Sequence, residues 1–260
     1  MVEWEQALNT AKTAALAAAD ILRQRFTHLE QVKVERKPSG ELVTASDLES
    51  ERLIQDAIAR AYPTHDILGE EFGLSEKPSS LRWFIDPIDG TGNFSRGNPN
   101  FSVSIALAEG DTVLVGVIAV PMERTVYHTT RGGGAFRNDE PIHVSDDTDL
   151  AVARVLWCEG HAEHAARAKE LKKRVQRRAG ICERIGSAAL ECASVATGAS
   201  AAYFTTGIRP WDIAAGKLLI EEAGGVVTDF TGNPFRLTEG DFLASNGKVH
   251  DTLVSLLKQT

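Results

Sequence analysis

Residues 82–91 read Arg-Trp-Phe-Ile-Asp-Pro-Ile-Asp-Gly-Thr, an apolar run that ends in two acids and a glycine. Trp83, Phe84 and Ile85 have the composition of a buried strand, which runs directly into Asp86. A proline then fixes a turn before Asp89. Carboxylates that follow apolar strands lie at the rim of a sheet, where active sites tend to form. The segment therefore predicts a strand that delivers two acids to a site.

On either side of this segment, the hydrophobic pattern predicts a layered mixed α/β protein. Before it, helical periodicity covers 4–26 and a second stretch from a cap at Ser46 to about 62. After it, three strand-like runs with short links indicate antiparallel pairing. The other predicted strands are 31–37, 66–71, 101–108, 113–120, 125–130, 152–158, 201–204, 226–229 and 242–244, and the other helices are 161–178, 188–197, 211–223 and one that ends at 257. With no internal repeat or linker, we expect one domain, 1–260, in two packed halves of roughly 1–148 and 149–260.

Composition narrows the class of protein. The 260 residues are 43% hydrophobic, enough for a substantial core, and the formal net charge is −8. An acidic chain is a poor binder of nucleic acid or anionic membranes, because their phosphates repel it. Three cysteines without a CxxC spacing do not predict a disulfide framework or a zinc site. We find no secretory leader and no run of about 18 apolar residues, so we expect a cytoplasmic protein without nucleic-acid or membrane partners.

Four acids stand out by their surroundings. Asp86 and Asp89 end the strand described above, Glu70 closes the run Ile-Leu-Gly at 67–69, and Asp212 begins an apolar helix. Taken singly, each could be a turn residue, a helix cap or a surface acid. Taken together, converging carboxylates repel one another unless cations neutralise them, and oxygen ligands of this type suit Mg²⁺. Two such ions can activate a water and stabilise a leaving alkoxide.

These residues belong to a larger set of motifs that occurs in a known order. The segments are Leu-Val-Thr-Ala-Ser-Asp at 42–47, Gly-Glu-Glu at 69–71, Trp-Phe-Ile-Asp-Pro-Ile-Asp-Gly-Thr-Gly-Asn-Phe at 83–94, Gly-Ser-Ala-Ala at 186–189, Trp-Asp-Ile-Ala-Ala-Gly at 211–216 and Glu-Ala-Gly-Gly at 222–225. With them the chain resembles, over nearly its whole length, the inositol monophosphatase family of lithium-sensitive, Mg²⁺-dependent phosphatases. The resemblance implies a layered αβαβα sandwich of the inositol monophosphatase/fructose-1,6-bisphosphatase type, and a homodimer.

The resemblance also implies a role for each motif residue. Glu70, Asp86, Thr91 and the carbonyl of Ile88 are similar to the ligands of a first Mg²⁺. Asp86, Asp89 and Asp212 are similar to those of a second, and Glu70 is expected to help place a third. Two or three ions per site are therefore expected.

The same motifs imply how the substrate is bound and hydrolysed. Glu70, Thr91 and Asp47 are the expected catalytic residues, with Thr91 and Asp47 orienting and deprotonating the attacking water. The expected phosphate- and substrate-binding residues are Asp89, Gly90, Thr91, Gly186, Ser187, Ala188, Thr205, Arg209 and Asp212. The predicted reaction is hydrolysis of a small phosphomonoester by metal-activated water.

One position departs from the family pattern. Family members typically carry a Glu seven residues before the helix-start Asp, where it binds ring hydroxyls, but here that residue is Thr205. The metal site does not depend on it, whereas the identity of the alcohol does. Inositol 1-phosphate or a related polyol or sugar phosphate is the first expectation, with fructose 1,6-bisphosphate and histidinol phosphate as alternatives. Arg209 could contact substrate or pair with an acid across a dimer interface.

Two further possibilities concern binding rather than hydrolysis. The segment 167–178 carries seven basic residues and one acid. It predicts a solvated helix face, or alternatively a basic rim that attracts a multiply charged substrate. Some family members act on the transcription or translation machinery, so a regulatory scaffold is the alternative class of function. Four converging acids favour the enzyme, since a scaffold has no physical need for them.

Overall fold

A computed structural model describes residues 4–37, 40–160, 162–238 and 240–258. Seven α-helices occur in this part of the chain, two of them before the predicted acidic strand and four in the second half. They are α1 (Glu5–Phe26), α2 (Ala45–Ala61), α3 (Thr91–Phe94), α4 (Ala165–Gln176), α5 (Ala188–Ala196), α6 (Pro210–Glu222) and α7 (His250–Leu257). Among the described residues, every helix is too short or too polar to cross a membrane.

The strands form a hairpin and two larger sheets. They are β1 (Val34–Arg36), β2 (Leu42–Thr44), β3 (Asp66–Gly69), β4 (Gly73–Ser75), β5 (Leu81–Asp89), β6 (Ser102–Glu109), β7 (Thr112–Val120), β8 (Thr125–Thr130), β9 (Gly134–Arg137), β10 (Glu140–Pro141), β11 (Arg154–Trp157), β12 (Ile181–Glu183), β13 (Ala202–Ile208), β14 (Val226–Thr228) and β15 (Gly240–Ser245). β1 and β2 pair alone. The first sheet has the order β10-β9-β8-β7-β6-β5-β3-β4, and the second has the order β12-β11-β13-β15-β14.

Three apolar clusters hold five layers together. α1 and α2 pack on one face of the first sheet, and α5 and α6 lie between the two sheets. α4 and α7 cover the outer face of the second sheet. The order of layers is therefore αβαβα, as expected. The central cluster contains Phe84 from the first half and Phe242 from the second, so the two halves share one core.

A bulge in β5 decides where its acids point. Asp86 pairs with Ser104 and Asp89 with Ser102, so three steps along β5 oppose two steps along β6. In a regular strand, residues three apart face opposite sides of the sheet. The extra residue cancels that alternation, and Pro87, which has no N–H to donate, lies within the irregular stretch. Asp86 and Asp89 consequently reach the same cavity.

Several local predictions were wrong at their boundaries. Thr44, not Ser46, caps α2, because its hydroxyl accepts from the Ser46 N–H while Asp47 reaches back to the Thr44 N–H. The alternating run 31–37 forms a strand only over Val34–Arg36. The predicted helix 161–178 begins at Ala165, after a 3-10 turn, and ends at Gln176. His161, where that prediction began, lies outside the described residues.

Candidate active site

Four carboxylates from three separate parts of the fold meet at one cavity. Asp86 and Asp89 come from β5, Glu70 from the turn that follows β3, and Asp212 from the first turn of α6. β3 and β5 are parallel neighbours, so their carboxyl ends lie at the same edge of the sheet. Glu70 is tied to that edge because its N–H donates to the Ile85 carbonyl at 3.1 Å.

The carboxylates destabilise one another's charged forms. Burial raises the pKa of Asp86 well above its ordinary value, and Glu70, Asp89 and Asp212 raise it further. Burial, followed by Asp89 and Glu70, likewise raises the pKa of Asp212. Burial raises the pKa of Asp89 and of Glu70 as well, although hydrogen bonds and a lysine oppose it. A cation placed among these groups would favour their ionised forms.

The donor chemistry suits a hard cation. The four carboxylates, the Ile88 carbonyl and the Thr91 hydroxyl are all oxygen ligands, the set that Mg²⁺ prefers. Among the described residues, no three His, Cys, Asp or Glu side chains are arranged to hold an ion as they stand. Glu70 pairs with Lys37, with 2.9 Å between Glu70 Oε1 and Lys37 Nζ.

Thr91 and Asp47 meet at the floor of the cavity. The Thr91 hydroxyl lies 3.1 Å from Asp47 Oδ1 and 2.9 Å from the Ile88 carbonyl oxygen, so it can donate to either acceptor. Asp47 Oδ2 accepts from the N–H and the hydroxyl of Thr44. Asp47 is fully buried, and burial raises its pKa to about 6 despite those hydrogen bonds. The pair can hold or pass a proton near neutral pH.

Asp89 binds the start of α5. Its carboxylate accepts from the Ser187 hydroxyl at 2.6 Å, from the Ala188 N–H at 3.1 Å and from the Ala189 N–H at 2.6 Å. The Gly186 N–H donates to Glu191 at 3.1 Å. The donors of 186–189 are thus used inside the protein, and they join the second half of the chain to β5.

The cavity has a volume of about 470 Å³. Two larger surface cavities, of about 670 and 740 Å³, include no buried carboxylate among the described residues that line them. The predicted site residues that line the acidic cavity are Glu70, Asp86, Ile88, Asp89, Gly90, Thr91, Gly186, Ala188 and Asp212.

The remaining predicted residues lie outside the lining. Asp47 and Ser187 are buried behind it, in contact with Thr91 and Asp89. Thr205 is fully buried, and its hydroxyl faces the Cys158 carbonyl at 3.5 Å, so the structure does not place it against a substrate. Arg209 caps α6, and its N–H donates to Asp212 at 3.2 Å.

Sequence reasoning missed several residues at this cavity. Three arginines, an acid and a cysteine also line the cavity: Arg36, Arg96, Arg184, Glu159 and Cys158. Lys37 pairs with Glu71 at 2.7 Å as well as with Glu70. Glu51 is buried and lies four residues after Asp47, on the same face of α2. The four-residue spacing from Asp47 could have identified Glu51 from the sequence. The arginines come from distant segments, and no sequence pattern connects them to the site.

The basic segment 167–178 is largely a solvated face. α4 buries Ala168, Leu171 and Val175 and exposes most of its charged positions. Arg167 pairs with Asp241 at 2.6 Å, and Lys169 pairs with Glu159 at 3.4 Å. Through the pair of Lys169 with Glu159, this segment touches the lining of the acidic cavity.

The chain is similar in sequence to a known family and to several of its members. Residues 3–260 match the pattern of the inositol monophosphatase family. An inositol-1-monophosphatase of Mesorhizobium japonicum is 38% identical over 257 residues, covering 97% of this chain and 96% of that protein. A fructose-1,6-bisphosphatase/inositol-1-monophosphatase of Aquifex aeolicus is 34% identical over 256 residues, covering 97% and 95%. A putative Nus factor SuhB of Neisseria meningitidis is 36% identical over 255 residues, covering 96% of each.

The fold agrees with these similarities. The crystal structure of the extragenic suppressor protein suhB from Bartonella henselae superposes with a TM-score of 0.93 at 30% identity, covering 98% of this chain and 99% of that one. The chain therefore belongs to the inositol monophosphatase family, and the names of its relatives support phosphatase activity.

Proposed function

We propose that this chain hydrolyses a small phosphomonoester in a Mg²⁺-dependent reaction at the acidic cavity. The observation that carries the proposal is the meeting of four carboxylates with raised pKa values beside Gly90 and Thr91. Glu70, Asp86, Thr91 and the Ile88 carbonyl would hold one ion. Asp86, Asp89 and Asp212 would hold a second, and Glu70 would contribute to a third. Bound there, Mg²⁺ would supply charge neutralisation and a more acidic water.

The protein's own groups would bind the phosphate and move the proton. The N–H groups of Gly90 and Thr91 open α3, and Gly90 has a φ of 99°, a backbone shape that favours glycine. A Cβ at this position would lie 3.1 Å from the Asn100 carbonyl oxygen, so a side chain would strain the turn. Thr91 would receive the proton of the attacking water and pass it towards Asp47. Gly186 and Ala188 would contact the substrate without donating hydrogen bonds to it, because their N–H groups already have acceptors in the protein.

Two substitutions test the metal assignment. Asp89→Asn and Asp212→Asn should each lower phosphate release at saturating Mg²⁺ by a factor of roughly 100 or more, since each removes a charged ligand. Ser255→Ala, at an exposed position on α7, serves as the control. Activity near that of the parent protein in both Asn variants would refute the assignment.

The preferred alcohol is a separate part of the proposal. We propose inositol 1-phosphate or a related polyol or sugar phosphate, which agrees with the names of the Mesorhizobium and Aquifex relatives. Because Thr205 is buried behind Cys158, outside the cavity lining, a Glu-like contact to ring hydroxyls has to come from elsewhere, and the neighbouring Glu159 lines the cavity there. Phosphate release from inositol 1-phosphate, fructose 1,6-bisphosphate and histidinol phosphate, compared by kcat/KM, decides among them.

A bisphosphate is the second candidate substrate. Arg36, Arg96 and Arg184 all line the cavity, and a second phosphate would find cations there that a neutral polyol does not need. The name of the Aquifex relative includes fructose-1,6-bisphosphatase. If this candidate is correct, Arg184→Gln should raise KM for fructose 1,6-bisphosphate more than KM for inositol 1-phosphate.

A regulatory scaffold is the alternative class of function, and it is supported by relatives that are named Nus factors. The two classes are separable in cells that lack the gene. If the chain acts as an enzyme, the Asp212→Asn protein should fail to restore the deletion phenotype. Full restoration by this variant, with no phosphate release in vitro, would favour the scaffold.

We further propose that the chain acts as a homodimer in the cytoplasm, as a single domain with two packed halves. The family resemblance and the shared central core support this arrangement. The three cysteines are all free, which suits a reducing compartment. Sedimentation equilibrium of the purified protein tests the homodimer, and fractionation of cells tests the location.

A further inference from the structure

We propose that Glu51 is a positioning residue that fixes Glu70 for cation binding, an inference that rests on the proposed Mg²⁺-dependent function. Glu51 lies on α2, outside the cavity lining, and it would act only through the turn that carries Glu70. No motif used to recognise the active site includes it.

The carboxylate of Glu51 is fully buried and grips the backbone directly after Glu70. Oε2 accepts from the Glu71 N–H at 2.7 Å, and Oε1 accepts from the Phe72 N–H at 3.0 Å. The Gln55 amide donates to Oε1 at 2.9 Å and orients the group on its helix. When Glu51 is ionised, its hydrogen bonds from the two backbone N–H groups are of the stronger, charge-assisted kind. Two consecutive N–H groups beyond β3 are therefore fixed by one side chain from another element.

Glu70 itself is held from the opposite side. Its own N–H donates to the Ile85 carbonyl, which precedes Asp86 on β5. The turn is thus fastened to β5 before Glu70 and to α2 after it. With both ends fixed, the Glu70 side chain leaves the backbone towards Asp86. Without Glu51, the second fastening is lost, while the first remains.

Gly69 makes the contact with Glu51 possible. A Cβ on Gly69 would lie 1.9 Å from Glu51 Oε1 and 2.5 Å from its carboxyl carbon. Gly69 has no positive φ that would otherwise require glycine. Its lack of a side chain therefore serves the close approach of Glu51, which gives a second and independent way to break the contact.

The experiment compares Mg²⁺ binding by calorimetry with thermal stability and kinetics. Glu51→Gln keeps the shape of the side chain but offers one acceptor oxygen, so one of the two N–H groups faces another donor. Gly69→Ala leaves Glu51 intact and displaces it. Asp66→Asn is the matched control, because Asp66 is a buried acid at the other end of β3 that accepts from the Lys77 N–H and from Arg82.

The proposal makes four linked predictions. Both Glu51→Gln and Gly69→Ala should weaken Mg²⁺ binding by about tenfold or more, a size typical when a group that orients a ligand is lost. The Mg²⁺ concentration for half-maximal activity should rise by a similar factor, while the substrate KM at saturating Mg²⁺ stays close to that of the parent protein. The double variant should bind Mg²⁺ no more weakly than the weaker-binding single variant, since both changes remove the same contact. Asp66→Asn should lower Tm without changing Mg²⁺ binding.

The outcomes separate this inference from the function on which it rests. If the parent protein neither binds Mg²⁺ nor releases phosphate, the proposed function fails. If the parent protein binds Mg²⁺ and both variants lose only Tm, as the control does, Glu51 is merely structural and the inference is overturned. If Glu51→Gln does not fold, Gly69→Ala decides, because its Glu51 carboxylate is chemically unchanged.

Discussion

At the scale of single residues, this protein buries carboxylates whose ionised forms make the fold less stable. Asp86 is 2% exposed and Asp89 is 8% exposed, and the pKa of each is raised by burial. Asp89 offsets part of that cost with three hydrogen bonds to the start of α5. Asp86 accepts one backbone bond, from the Ile88 N–H. Asp86 therefore has fewer hydrogen bonds than Asp89 to offset the burial of its charge.

Removing the Asp86 charge should stabilise the metal-free protein. In EDTA and mildly alkaline buffer, Asp86→Asn is expected to raise Tm by about 2–4 °C, equivalent to roughly 1 kcal/mol in a chain of this size. Saturating Mg²⁺ should raise the Tm of the parent protein by about 5–10 °C, since a ligand at 100 times its Kd contributes about 2.7 kcal/mol. The variant should gain little. Differential scanning calorimetry with and without Mg²⁺ measures both shifts, and an equal Mg²⁺ gain in the two proteins would contradict the assignment.

Asp47 should control the acidic limb of the rate profile. Burial raises its pKa to about 6, and bound cations would lower that value by favouring the charged form. If Asp47 accepts a proton from Thr91, kcat should rise with pH and level off above a midpoint at or below about 6. Asp47→Asn should lower kcat by roughly 10²–10⁴ and remove this limb. A retained limb in the variant would assign the titration to another group.

At the scale of elements, the two helices between the sheets set the distance across the site. α5 begins at the donors that hold Asp89, and α6 carries Asp212 in its first turn. The helices cross closely, because a Cβ on Gly216 would lie 2.4 Å from Cys192 Cβ and 2.6 Å from its sulfur. Gly216 thereby brings the start of α6 near the start of α5.

Gly216→Ala should consequently damage both stability and the site. Overpacking of this kind costs about 1–3 kcal/mol, which corresponds to a fall in Tm of about 2–10 °C. Because the strain acts between the helices that carry Asp212 and hold Asp89, Mg²⁺ binding should weaken as well. Gly240→Ala is the control, since a Cβ there meets no atom within 4 Å. A normal Tm in Gly216→Ala would show that the helices separate without cost.

At the scale of the whole molecule, buried acids make stability depend on pH. Burial raises the pKa of Glu51 to about 7 and that of Glu191 to about 8. The folded chain then keeps protons that the unfolded chain has already lost. The contribution of these two groups to stability should therefore fall as pH rises from the ordinary Glu value, 4.5, to about 8, and then level off. This dependence is opposite to that of an acid in a favourable ion pair.

Glu191→Gln isolates one contribution to this dependence. The amide oxygen can still accept from the Ile185 and Gly186 N–H groups, as Glu191 does at 3.0 and 3.1 Å. Chemical denaturation in EDTA should give similar free energies of unfolding for the two proteins in mildly acidic buffer. In alkaline buffer the variant should be more stable, by at least about 1 kcal/mol. Parallel pH curves would show that Glu191 ionises normally in the folded protein.

The sequence by itself determined the family and most of the acids, and the five layers followed from the resemblance to that family. Long apolar periods predict helices and strands well because each helix or strand buries one face. The motifs around Asp86, Glu70 and Asp212 indicated oxygen ligands for Mg²⁺, since like charges at close range need a cation. Boundaries were less certain, because caps such as Thr44 depend on a contact with Asp47 rather than on pattern.

The tertiary structure alone decided how these residues are aimed. The bulge in β5, which places Asp86 and Asp89 on one side, depends on pairing with β6. Glu51 on α2 accepts hydrogen bonds from the N–H groups of residues 71 and 72, and Lys37, which follows β1, pairs with Glu70. Thr205 occupies the family's position, yet its hydroxyl donates to the Cys158 carbonyl and it lies behind the cavity lining. Such contacts join residues far apart in the chain, so their geometry follows from packing, which no local pattern encodes.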